Sequence, residues 1–147
     1  MVNFILSPSI RIYINENATL KIEDFNFSST NNFDINNFET FAEIFITVNG
    51  KLDINHCYFG NIFNYQFLIR YSNTSAFYGI LDTKFFNVKT LFGILIFEEE
   101  ILNETFPQFY FKNIFVDYVT THLSESTSIL SCLSCDIKIE NSYFRYL

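Results

Sequence analysis

Cations are scarce in this chain, with nine Lys and Arg against sixteen Asp and Glu in 147 residues and a formal net charge of −7. Binding to a phosphate backbone rests on clustered Lys and Arg that displace counterions, so this scattered handful argues against nucleic acid as a partner. Long apolar runs are lacking as well. The longest, residues 91–97, is strand-sized and falls far short of the roughly 18 residues that a membrane-spanning helix needs. The opening residues 1–8 have no basic segment and too short an apolar stretch for a secretory signal. Cysteine is limited to Cys57, Cys132 and Cys135, an odd count that fits no paired disulfide framework and leaves their thiol state open. Trp is absent while Phe numbers twenty, but abundance says less than position. At 49% hydrophobic and 17% charged residues the chain can bury a sizeable core, which argues against disorder.

What is present is a repeated block. Two alternating apolar residues lead into a polar fifth position and then a large apolar residue three further on. The copies begin at Leu20, Leu52, Tyr78, Phe109 and Ile137, separated by 32, 26, 31 and 28 residues. Such periods mark architectures in which one supersecondary unit stacks on the next. Within a block the period is two, so first and third residues share one face of a strand. Further alternating stretches precede several blocks, around Ile12 and Ile14, around Ile44, Ile46 and Val48, and around Ile129 and Leu133, giving each repeat at least two strands. Two residues before each block stands Ala18, Gly50, Ala76, Pro107 or Cys135, a small or turn-compatible register expected at an inward corner. Five residues after the third block position come Phe27, Phe59, Phe85, Val116 and Phe144, expected to form an interior column of rings. Residues 28–40 and 98–106 are expected to be loop insertions.

One such repeat cannot bury its own apolar face, whereas layers stacked about 4.8 Å apart close a continuous core and pair every backbone group. The expected fold is all-β, a right-handed parallel β-helix of about five coils, with residues 1–147 as one domain. The blocks resemble, at the level of pattern from about Ile10 to Leu147, the right-handed parallel β-helix proteins of the pectin-lyase-like class. That resemblance implies a polysaccharide-active lyase or hydrolase as one function. The Asp-Asp, Gly-His-Gly and Arg-x-Lys signatures of its polygalacturonase-like members do not occur, so no catalytic role transfers residue by residue.

The fifth block position carries Asp24, His56, Asp82, Asn113 and Asn141, one polar row along a stack. Asp24, His56 and Asp82 are the candidate acid/base cluster, with the two carboxylates two layers or roughly 10 Å apart. The competing structural reading is that strands end here, where Asp and Asn bond local backbone and form a ladder. The lone Cys132-x-x-Cys135 pair lies about 14 Å along the stack from Cys57 and His56, too far to share a zinc, so neither metal nor cofactor is expected. The run Glu98 to Glu100 reads as solvated. Outward aromatics at Phe45, Phe86, Tyr110 and Tyr146 are expected to offer flat surfaces to sugar rings or a protein. Sequons at Asn17, Asn26, Asn73 and Asn103 are candidate glycosylation sites. The chain stops in a block with no polar cap, so its final coil is expected to meet further chain or a second copy. The resulting expectation is a non-enzymatic β-solenoid segment, a spacer or a surface for carbohydrate or protein, belonging to a larger extracellular or cell-surface protein. The polysaccharide-active enzyme is the alternative.

Overall fold

The computed structural model describes residues 1–6, 11–15, 18–29, 44–47, 50–71, 77–97, 108–121, 130–131 and 136–145. Its strands are β1 (Val2–Leu6), β2 (Ile12–Ile14), β3 (Thr19–Glu23), β4 (Phe25–Ser29), β5 (Phe45–Thr47), β6 (Lys51–Asn55) and β7 (Tyr58–Tyr71). They continue with β8 (Phe77–Leu81), β9 (Lys84–Phe97), β10 (Gln108–Lys112), β11 (Phe115–Thr121), β12 (Leu130–Ser131), β13 (Asp136–Glu140) and β14 (Tyr143–Arg145). No helix occurs among the described residues.

All five blocks are strands, as their period-two pattern requires, and they lie side by side in the order β3-β6-β8-β10-β13. A larger sheet repeats that order one strand later, along β1-β4-β7-β9-β11-β14. Every strand pair among the described residues is parallel. Like residues therefore meet like. The third block residues Ile22, Ile54, Ile80, Phe111 and Ile139 are consecutive register partners. A further short ladder joins β2 to β5, β5 to the far end of β7, and that end to the far end of β9, which also pairs β12. Two layers thus run their chain almost unbroken through β7 and β9, with irregular register between Phe63 and Phe67.

Alternation decides which side chains enter the core. Leu52, Ile54, Ile80, Phe109 and Phe111 point inward from the five-stranded sheet and are buried. From the larger sheet, Phe4, Phe27, Phe59, Phe85, Val116 and Phe144 form one register column. Phe27 and Phe59 stack with centroids 4.7 Å apart at 11°, and Phe59 and Phe85 at 5.0 Å and 14°, so the expected column of rings is present. Fully burying one such ring contributes about 1.5–3 kcal/mol, with a further increment from offset stacking.

Two expectations need correcting. Phe45 does not face outward: it is fully buried, its ring edge-on to Phe27 at 5.9 Å. The chain bends at Ile44, so Ile44 and Phe45 both enter the core in succession, which simple alternation forbids. The small-residue register is not uniformly inward either. Gly50 is buried where an added Cβ would meet the Ile14 carbonyl at 2.5 Å, yet Ala18 is exposed, its carbonyl accepting the Lys51 amide at 2.8 Å. Ala76, Pro107 and Cys135 lie outside the described residues, as do residues 30–43 and 98–107, which hold most of both expected insertions.

Candidate functional site

The polar row is a stack of left-handed corners. Asp24, His56, Asp82, Asn113 and Asn141 all have φ between 47° and 61°, one step after each block strand. Asn, Asp and His are the non-glycine residues enriched in that region, which accounts for the residue types of the row without any catalytic demand. The corners do not interrupt pairing between layers. Asp24 N donates to Asn55 O, His56 N to Leu81 O, Asp82 N to Lys112 O and Asn113 N to Glu140 O, at 2.9–3.3 Å.

The next position adds a second ladder. Thr83 Oγ1 donates to Leu81 O at 2.7 Å, Ser142 Oγ to Glu140 O at 2.8 Å and Cys57 Sγ to Asn55 O at 3.1 Å. Each of these three groups caps the carbonyl that ends its own block. The same Thr83 hydroxyl accepts the Cys57 amide and the Ser142 hydroxyl the Ile114 amide, so one oxygen serves two layers. Burial pushes the Cys57 thiol pKa up, consistent with a small buried donor and not a reactive thiolate. Cys132 and Cys135 lie outside the described residues.

Of the candidate acid/base residues, the corner brings two together. His56 Nδ1 lies 2.9 Å from Asp24 Oδ1, with both side chains more than half exposed. Asp82 is instead paired onward, its Oδ1 accepting from Asn113 Nδ2 at 2.6 Å. The row therefore splits into two hydrogen-bonded pairs on an exposed corner. Among the described residues no group of three or more His, Cys, Asp or Glu side chains could hold a metal ion.

Sequence reasoning missed a second left-handed row, at Asn61, Asn87 and Tyr118, inside β7, β9 and β11. Asn87 Nδ2 donates to Asn61 Oδ1 at 2.7 Å, and Tyr118 replaces the amide with a ring set edge-on to Phe86 at 5.8 Å. The repeated Asn 26 residues apart, each followed by a β-branched residue, was the available signal. Tyr118 carried none.

Two outward faces present chemistry. On the five-stranded sheet the second block position carries Lys21, Asp53, Gly79, Tyr110 and Lys138 as successive register partners. Gly79 places no side chain in that row between Asp53 and Tyr110 and is itself buried. A shallow cavity of about 340 Å³ lies over it, walled by Asp53, Asn55, Tyr110 and Lys21. On the larger sheet Lys84 stands over the rings of Phe115, Phe86 and Tyr58 at 4.8, 5.4 and 5.9 Å. Beside it Arg145 clamps the buried Asp117 through two hydrogen bonds of 3.0 and 2.5 Å, and this holds the Asp117 carboxyl below its ordinary pKa. Of the aromatics expected outward, Phe86 and Tyr110 lie on these faces, and Tyr146 is outside the described residues.

Asn26 is the one sequon asparagine among the described residues. Its Nδ2, the atom a glycan would occupy, donates to Asn3 Oδ1 at 3.0 Å. Asn17, Asn73 and Asn103 lie outside them. No helix is long and apolar enough to cross a membrane among the described residues. No protein-family model, curated protein or solved structure matches the chain.

Proposed function

We propose that the chain is a non-enzymatic segment of a right-handed parallel β-helix of about five coils, a rigid spacer and carbohydrate-binding surface of a larger surface or secreted protein. The carrying observation is that all five blocks lie parallel and in register, each followed by the same left-handed corner. A third ladder of strand segments supports a coil with three sides, and crossover chirality supports the right-handed sense. Rigidity comes from hydrogen bonding that continues between layers through the corners. Binding is supported by the outward aromatics. The edge of β13, with Ile137 and Ile139 about half exposed, would take a further strand. A second copy setting β3 on it in register would face Lys21 with Lys138 and Glu23 with Glu140, so a strand of different sequence fits better.

The Asp24–His56 pair favours the second reading, a polysaccharide-active enzyme. Incubating the protein with neutral and acidic polysaccharides separates the two. The scaffold reading expects retention on the polymer without change in its chain length. Chain scission that disappears in Asp24→Asn would establish the enzyme instead.

A further inference from the structure

The two open edges of the five-stranded sheet differ. At the first, Ile22 of β3 is buried, and the larger sheet continues one layer further through β1, which pairs β4, the strand that follows β3 round the corner. At the last, β13 and β14 end their sheets together, and Ile137, Ile139 and Tyr143 are about half exposed. Among the described residues β13 pairs β10 and no other strand.

The main-chain groups at that edge follow from the pairing behind it. The Glu140 carbonyl accepts the Asn113 amide and so points back towards β10. Direction alternates along a strand, so Asp136 and Lys138 point the same way, and the amides and carbonyls of Ile137 and Ile139 point out of the stack. The corner amides of Asp24, His56, Asp82 and Asn113 each donate to the following layer. Asn141 has the same left-handed conformation, so its amide also points outward, where no layer follows among the described residues.

A second copy cannot continue the stack by laying its first layer on this last one. Bringing its β3 to β13 would drive its β1 into β14, and would set Lys21 against Lys138 and Glu23 against Glu140. A copy reversed about a twofold axis through Ile139 meets neither obstacle. Lys138 then stands opposite Glu140 of the second copy, Ile139 opposite its Ile139, and Ile137 opposite its Asn141. The Ile139 pair exchanges both main-chain hydrogen bonds, and each Asn141 amide meets the Ile137 carbonyl across the axis. Lys138 already holds its own Glu140 at 2.7 Å, so charges of the two copies alternate in sign around the axis. An axis through Lys138 would instead face Lys138 with itself and Asp136 with Glu140, and one through Ile137 would carry Glu140 past the first residue of β13.

We infer that β13 is a self-complementary edge at which two copies of this chain join, last layer to last layer, antiparallel about a twofold axis through Ile139. Such an isologous contact closes as a dimer and leaves the β3 ends apart. The inference rests on the scaffold reading above and names the partner of the open edge. Dilution below the dissociation constant returns Ile139 to its exposed state.

Sedimentation velocity of the full chain is expected to show a concentration-dependent dimer and no higher species. In a mixture of isotope-labelled and unlabelled protein, filtered nuclear Overhauser spectra should show a close Hα–Hα contact between Lys138 of one copy and Glu140 of the other. Ile139→Lys should weaken association by about tenfold or more. Lys138→Glu should weaken it as well, and adding Glu140→Lys should recover it, because the exchange restores opposite signs across the axis. A monomer at up to about 1 mM, where even weak association shows, would overturn the dimer. So would an open series of oligomers, a dimer lacking the Lys138–Glu140 contact, undiminished association of Ile139→Lys, or no recovery in a folded double variant. Far-UV circular dichroism keeps the failures apart. A parent without β structure sinks the scaffold reading and the dimer with it, whereas a β-rich monomer sinks only the dimer.

Discussion

The middle layers and the last layer carry nearly the same block and are held in different ways. Ile54 and Ile80 are 1% exposed, while Ile139, at the same position of the block, is 51% exposed. Burial here is supplied by the neighbouring layer and not by local sequence, as expected of a repeat array. The last layer is fastened by other means: Arg145 to Asp117, Tyr110 to Glu140, the Ser142 hydroxyl to the Ile114 amide, and Tyr143 stacked on Phe115 at 5.2 Å. Apolar contact dominates the middle, and hydrogen bonds with ion pairs dominate the end. The two regions should therefore respond to different perturbations.

The sharpest contrast lies in the ring column. Phe59→Ala removes a fully buried ring sandwiched between Phe27 and Phe85 and should cost about 3–5 kcal/mol in denaturant unfolding. Phe144→Ala, at the partly buried end of the column, should cost about 1 kcal/mol. Equal losses would erase the distinction between middle and end. A smaller version compares the blocks themselves. Ile54→Ala should lose about 2–5 kcal/mol, and Ile139→Ala about 1 kcal/mol or less.

Acid should reverse the order of vulnerability. Arg145 holds the Asp117 carboxyl below its ordinary pKa of 3.8, and Lys138 and then Tyr110 do the same for Glu140 below 4.5. A carboxylate whose pKa is lower in the folded state contributes stability above its ordinary value and loses it as pH falls through the folded one. Below about pH 4 the amides of β14 should lose hydrogen-exchange protection while those of β7 and β9 keep theirs. Asp117→Asn should flatten that acid response. Loss of protection in all layers at one pH would contradict separate fastening.

The smallest effect concerns the second left-handed row. Tyr118 occupies a conformation that costs most side chains about 1–2 kcal/mol, and the two layers before it use Asn there. Tyr118→Asn would extend the Asn61–Asn87 ladder and should raise stability by up to about 1 kcal/mol, read as a shift in unfolding midpoint. A loss would mean that the contact with Phe86 outweighs the backbone cost.

Legibility in the sequence followed periodicity. The five blocks, the ring column and the polar row could be read because each repeats at a fixed offset, and in each the same physical demand recurs in every layer. Phe45 could not be placed, since a bend at Ile44 breaks the alternation on which an inward or outward assignment depends. The ladder of corner donors was within reach: the Cys57 thiol and the Thr83 and Ser142 hydroxyls share one position and one donor function. The cavity beside Gly79 was visible only as the glycine in a row of Lys, Asp, Tyr and Lys.

The most direct test is the set of interlayer contacts seen by nuclear Overhauser effects on isotope-labelled protein. Parallel in-register stacking requires an unbroken series of contacts from Ile22 to Ile54, Ile80, Phe111 and Ile139, each to the next. Close Hα–Hα contacts of antiparallel pairs between those strands, or a series shifted by one residue at any layer, would contradict it.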